Sequence, residues 1–286
     1  MSAHPRATLG GVTVGDGERI VVMGALNVSP ESFYGGSIHV GDEELLGAAL
    51  GMVEAGARLV DVGARSTAPY RETEISEDLE GDRLARAVEL LARKLPVPVS
   101  ADTARPGPAR AALEAGARVL NDVTGLADPG VARLVAGHAA SVILMASPGA
   151  PGRGASGDPI ATVRQALEGA LARARAAGIP DERVVLDPGI GFFRDEAIPW
   201  DEWDSRVLAR LGELRALGRP LGAGISRKSF VGAIAGRPEP AERLAGSLAA
   251  TAVAVWQGVA LVRTHDVAET LDAVRVAERL RGARGV

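Results

Sequence analysis

The sequence predicts a parallel (β/α)8 barrel (a TIM barrel), built as one α/β domain over residues 1–286. Three observations carry this. Eight short apolar runs recur from one end of the chain to the other, each followed by a longer stretch with helical periodicity. The runs are near-continuously apolar, as strands covered on both faces must be. No shift in composition divides the chain.

The strand candidates, in order, are IVVMGALN (20–27), RLVDVG (58–63), VPVSAD (97–102), RVLNDV (118–123), ASVILMA (140–146), RVVLDPG (183–189), PLGAGIS (220–226) and VALVRTHD (259–266). Between them EELLGAALGMVEAG, SEDLEGDRLARAVELLARK, PGPARAALEAG and DPIATVRQALEGALARARAAG place apolar residues three and four apart, the helical repeat. Several close on Ala-Gly, which ends a helix before the next strand. The rival fold, an open doubly wound sheet, would carry GxGxxG at its first helix. Gly189-Ile190-Gly191 comes too late and lacks that spacing. The stretch SPGAPGRGASGDP (147–159) reads as a mobile loop at the end of the fifth strand.

A chain of 286 residues can bury roughly 75% of its unfolded surface. Apolar content of 47% and mean hydropathy of +0.11 describe a globular protein. Net charge of -4 and a pI near 5.7 argue against nucleic acid or an anionic membrane as partner. With no cysteine there is no disulfide, thiolate metal site or Cys nucleophile, in keeping with a cytoplasmic location. The N-terminal stretch has no apolar signal-peptide core. Residues 244–262 carry no charge, but they read as a buried helix and a buried strand back to back rather than a membrane span.

Among 32 basic side chains only Lys94 and Lys228 are lysines. Lys94 closes a helix, where a last-turn cation is ordinary. Lys228 stands in GISRKSF beside Arg227, at the end of the seventh strand, where a compact ammonium does different work from a guanidinium. The other strand ends are also polar: Asn27, Asp61, Asp102, Asn121, Asp122, Asp187, Ser226, Arg263 and His265. One strand-end Asp or Asn usually caps a helix or closes a turn. A full set at the C-terminal ends is where a barrel holds its active site. Asp102, Asn121 and Asp187 suit the N–H groups of a flat heterocycle. Lys228, Arg263 and His265 gather positive charge on strands seven and eight, for an anion. Asn27 with Ser29 offers oxygen to a hard cation, too few ligands to infer Mg2+ from them alone.

With these motifs in view, the chain resembles the dihydropteroate synthase family of pterin-binding barrels. LNVSPESF and DVGARSTAP are similar to its first- and second-loop motifs. VSADT, LNDVTG, LDPGIGF, GISRKSF and RTHDV resemble its third, fourth, sixth, seventh and eighth strand motifs, and the series spans residues 27–267. The resemblance implies a transferase of folate biosynthesis that joins 7,8-dihydropterin-6-ylmethyl diphosphate to an arylamine and releases diphosphate. It implies that Asp102, Asn121, Asp187 and Lys228 hold the pterin, with Met145 and Phe192 lining its pocket. Asn27, Thr67, Arg263 and His265 would hold the diphosphate, with Asn27 toward Mg2+, and Ser226 and Pro69 would meet the arylamine. Lys228, Arg263, His265 and Asp102 are the catalytic set so implied. The expected partners are the two small molecules and a second copy of the chain, as a homodimer.

The chain departs from the family pattern in three places. Arg65 and Ala68 stand where the second loop usually has Glu and Arg, Glu31 stands where the first has Asp, and the fifth strand ends in LMAS. The run STAPYRETEIS looks like the methanopterin-pathway variant, which takes a ribofuranosyl-aminobenzene phosphate in place of p-aminobenzoate. Arg65 and Arg71 would then meet the substrate phosphate. Two other readings are a pterin-dependent corrinoid methyltransferase and a non-catalytic pterin-binding homologue.

Overall fold

The computed structural model describes residues 5–29, 41–65, 75–149, 157–194 and 197–283. The chain opens with an antiparallel hairpin, β1 (Arg6–Leu9) and β2 (Val12–Gly15), which the strand pattern did not anticipate. Its turn is Gly10-Gly11, with φ of 57° and 99°, the left-handed pair a two-residue hairpin needs.

The eight anticipated strands follow: β3 (Val21–Asn27), β4 (Leu59–Gly63), β5 (Val99–Asp102), β6 (Val119–Asp122), β7 (Ser141–Met145), β8 (Val184–Asp187), β9 (Gly222–Gly224) and β10 (Leu261–Thr264). They pair in parallel in the order β8-β7-β6-β5-β4-β3-β10-β9. A parallel bridge from Leu186 to Leu221, with the Leu186 N–H donating to Pro220 O at 3.0 Å, brings the two edges together and rounds the sheet into a barrel.

Helices α1 (Asp42–Glu54), α2 (Glu77–Lys94), α3 (Pro106–Glu114), α4 (Pro129–Gly137), α5 (Pro159–Ala176), α6 (Trp200–Ala209), α7 (Ser229–Ala235), α8 (Leu244–Trp256) and α9 (Val267–Gly282) connect the strands. Pro106, Pro129 and Pro159 start three of them, where a missing N–H costs nothing. Asp128 and Asp158 cap two of these through Gly130 N and Ile160 N. Residues 244–262 divide into α8 and the approach to β10, as expected, and no helix among the described residues is long and apolar enough to cross a membrane.

The core has two parts. The larger lies between the sheet and the helices, and includes Val62, Leu120, Val142, Leu144, Leu186 and Val262. The smaller fills the barrel: Val21, Met23, Leu59, Val119, Ile143, Val185 and Leu261 pack with Ala7, Leu9, Val12 and Val14 of the hairpin. These hairpin residues join the early residues of the strands, and Ser141 Oγ at the start of β7 donates to Thr8 O at 2.7 Å. The hairpin therefore covers the N-terminal mouth. Polar side chains gather at the opposite one.

Candidate active site

Successive strand residues face opposite sides. With Val119, Ile143, Val185 and Leu261 inside the barrel, the same side is taken two residues later by Asn121, Met145, Asp187 and Arg263. Arg263 is the hub. Its Nε donates to Asp61 Oδ2 at 2.6 Å and its Nη2 to Asp102 Oδ2 at 2.9 Å. Asn121 Nδ2 donates to the same Asp61 oxygen at 3.1 Å. Gly224 pairs with Arg263 across β9 and β10. Asp61 is fully buried. It was visible in the sequence as a charge inside an apolar run, but without a role. Here it orients both Arg263 and Asn121.

Asp61 Oδ1 and Asp102 Oδ1 are buried with no hydrogen-bond partner among the described residues. Burial raises the Asp102 pKa to about 7 against the opposing pull of Arg263. Asn27 Oδ1 and Asp102 Oδ2 both flank Gly63, on the strand between them.

On the other side of the mouth, Asp187 Oδ1 accepts from Gly189 N at 2.8 Å, and burial pushes its carboxyl up. Residues 189–193 then turn sharply, with φ of 71° at Gly189 and 86° at Gly191. A side chain at 189 would sit 2.3 Å from Ala146 O, and one at 191 would sit 2.9 Å from Lys228 Cδ. The LDPGIGF motif thus encodes a turn that Lys228 fits against. Lys228 Nζ donates to Ile190 O at 2.9 Å and lies 4.4 Å from the centre of the Phe192 ring. Burial lowers its pKa to about 8, with Asp187 and Asp204 opposing.

The residue before Lys228 fixes its direction. Arg227 has a left-handed backbone, φ 56°, strain that persists only where surroundings enforce it. Its guanidinium grips Asp266 through two bonds of 2.9 and 2.7 Å, and its Nη1 donates to Pro240 O and Ala241 O. Ser226 Oγ ties the same two loops together, 3.0 Å from His265 Nδ1.

His265 follows on the next strand end. Its place beside Arg263 suggests a cation, but burial, then Arg263, Arg227 and Lys228, lower its pKa to about 3. Burial and these neighbours favour the neutral ring. When the Ser226 hydroxyl donates to Nδ1, the ring proton is left on Nε2, so His265 can meet an anion as a neutral donor.

Arg65 ends the described residues after β4. Its Nε donates to Glu80 Oε2 at 3.2 Å. Glu80, 1% exposed on α2, also accepts from Thr103 Oγ1 at 2.6 Å and Arg105 Nη1 at 3.2 Å, and Arg105 reaches Ile75 O. Sequence alone could not single out Glu80, because a Glu in the first turn of a helix is ordinary. Thr67, Pro69, Ala68, Arg71 and Glu31 lie outside the described residues. Asp122 took the bland role, closing a turn through Thr124 and Leu126.

A barrel covered at one end, with buried carboxylates interleaved with Arg263 and Lys228 at the other mouth, fits a class: barrels able to hold a flat N–H-bearing heterocycle beside an anion. The family model for the pterin binding enzymes matches residues 23–265. Along nearly its whole length the chain is similar to dihydropteroate synthases. That of Synechocystis sp. is 38% identical over 270 residues, 92% of this chain and 91% of that one. That of Escherichia coli K12 is 37% identical over 267 residues, 92% of each. Among solved structures, the Xanthomonas albilineans dihydropteroate synthase with 4-aminobenzoic acid superposes with a TM-score of 0.85 at 37% identity, covering 98% of this chain and 99% of that one. The Coxiella burnetii enzyme in complex with pteroic acid gives 0.85 at 32% identity, with the same coverage. The chain belongs to the dihydropteroate synthase family. It is a transferase of the C–N bond-forming kind, and neither the corrinoid methyltransferase reading nor the non-catalytic one is favoured.

Proposed function

We propose that this enzyme condenses 7,8-dihydropterin-6-ylmethyl diphosphate with p-aminobenzoate and releases diphosphate. The observation that carries the pterin end is Asp102 Oδ1, buried with no hydrogen-bond partner among the described residues. A buried acceptor left open costs stability unless a ligand donates to it. Asp102, Asn121 and Asp187 receive and orient the pterin, Lys228 bonds it from the seventh loop, and Met145 and Phe192 line the pocket. Arg263 and His265 stabilise the leaving diphosphate with donors already in place, the arrangement that lowers a barrier most. No general base is required, since an arylamine is neutral near physiological pH. Ser226, Thr67 and Pro69 belong to this reading as diphosphate and arylamine contacts.

Mg2+ fits as a substrate-borne ion. Among the described residues no three His, Cys, Asp or Glu side chains form a metal cage. Asn27 Oδ1, beside Asp102 Oδ2, offers one oxygen, and a cation that keeps its waters and rides on a diphosphate needs only one or two from the protein. Bound there, it would neutralise charge on the departing group.

The Arg65–Glu80 pair favours p-aminobenzoate over the phosphorylated arylamine, because the Arg65 charge already faces a buried carboxylate. Side-by-side turnover tests this. Plain p-aminobenzoate should be used efficiently, with no gain from the ribosyl phosphate. A gain of about tenfold for the phosphorylated substrate, lost in Arg65→Ala through KM alone, would reverse the assignment.

A homodimer is part of the proposal. Ile234 on α7, Trp256 on α8, and Val276 and Leu280 on α9 are exposed apolar side chains on consecutive helices, the kind of surface that a partner covers. Light scattering should give twice the chain mass, and Trp256→Glu should weaken the assembly. A monomer at micromolar concentration would refute it. A cytoplasmic location belongs to the same reading, and cell fractionation tests it.

A further inference from the structure

Besides Glu80, a second buried carboxylate lies outside the strand-end array. Asp204, on α6, is fully buried. Its Oδ1 accepts from Gly191 N at 2.8 Å, and its Oδ2 has no hydrogen-bond partner among the described residues. Trp203 beside it stacks on Phe193, with ring centroids 5.2 Å apart. Successive residues of α6 therefore hold the middle and the end of the 189–193 turn.

A carboxylate is an expensive choice for this position. A neutral Asn would accept from Gly191 N without a charge to desolvate. The charge has a use only if a cation faces it, and Lys228 does, fitted against Gly191 on the turn that Asp204 holds. We propose that Asp204 is a positioning residue for Lys228: it anchors the turn through Gly191 and gives the ammonium a second carboxylate besides Asp187. The role rests on the pterin-diphosphate reading of the site, with Lys228 acting as an ammonium.

The charged groups around the pair are few. Lys228 faces Asp187 from β8, Asp204 from α6, Arg263 from β10 and Arg194 from the loop before α6. Asp204 faces Lys228, Arg194 and Asp201. Arg194 is engaged elsewhere, donating to Gly191 O at 3.1 Å and to Ser229 Oγ, with its guanidinium 4.3 Å from the Trp200 ring centre. Burial raises the Asp204 pKa to about 6 and lowers that of Lys228 to about 8, so both are charged between those values. Above that window Lys228 loses its proton. Without Asp204 it should lose it earlier.

The chain makes the test direct, because it holds only two lysines. Protein labelled with 13C at lysine Cε shows two signals, and Lys94→Arg assigns them. In the wild type the Lys228 signal should titrate near pH 8, with a second inflection near pH 6 as Asp204 protonates. In Asp204→Asn the second inflection should vanish and the main one should fall by about one unit, a tenfold change in proton affinity. The alkaline limb of kcat/KM for dihydropterin diphosphate should move down in step, while the acid-side rate stays within about twofold. A purely structural Asp204 would lower Tm and leave the Lys228 titration where it was, and that result overturns the proposal. If Asp204→Asn does not fold, a wild-type titration without the lower inflection overturns it equally. Failure of wild-type turnover would instead count against the substrate assignment, since the titration needs no substrate.

Discussion

Lys228→Ala should lower kcat/KM for dihydropterin diphosphate by about 10²-fold, the scale of losing a hydrogen bond from a charged group, while Tm near neutral pH moves by about 3 °C or less. Two effects oppose each other in the stability. Removing the ammonium deprives Asp187 and Asp204 of a cation. It also removes a buried charge whose folded pKa, about 8, is depressed from 10.5. A depressed lysine contributes stability above its unfolded pKa and loses it as pH falls through about 8, so near neutrality the wild type already bears that cost. Lys228→Arg should rescue little. Gly191 closes on the lysine stem, and Ile190 O and the Phe192 ring bracket an ammonium rather than a planar fork. Near-wild-type turnover by the arginine variant would reduce Lys228 to a generic cation. Activity of the wild type should itself decline as pH rises through about 8.

Strands β3 to β10 were legible because a strand covered on both faces must be apolar throughout, and short apolar runs alternating with amphipathic stretches fit a helix-covered parallel sheet better than any other layering. Asp102, Asn121, Asp187, Lys228 and Arg263 were legible for a related reason: a polar residue ending an apolar strand faces the mouth of a barrel. What stayed hidden depended on partners. The β1–β2 hairpin is only four residues a side, too short for its alternation to stand out, and its role comes from covering a barrel end that no local pattern reveals. Glu80 and Asp204 sit in helices, where acidic residues usually face water, and their burial is set by Arg65 and Arg105 in one case and the 189–193 turn in the other. The charge of His265 could not be read from its type, because three neighbouring cations and burial decide it. Asp61 shows the intermediate case, conspicuous in RLVDVG, yet meaningful only once Arg263, 202 residues later, donates to it.

Arg263→Ala should be the most damaging single change, because it strikes stability and turnover together. Asp61 is fully buried and Asp102 nearly so, and Arg263 donates to both. Breaking a buried ion pair by removing one partner costs about 3–5 kcal/mol. The deficit should depend on pH. Burial already raises the Asp102 pKa to about 7 against Arg263, so without the arginine it should rise further. A carboxyl with a raised folded pKa contributes stability that is full below its unfolded value and is lost as pH rises through the folded one. The variant should therefore lose Tm relative to wild type as pH climbs through neutrality, and recover part of it in mild acid. Adding Asp61→Asn separates the two roles. The neutral amide removes one of the two stranded carboxylates, so the double variant should regain part of the lost stability, an interaction that a double-mutant cycle reads directly. Turnover should not return, because the donor for the leaving diphosphate is still missing. If Arg263→Ala alone keeps wild-type Tm at every pH, the Asp61–Arg263–Asp102 array is not the hub of the site. If the double variant regains turnover along with stability, Arg263 serves the fold and the diphosphate must be held by other groups.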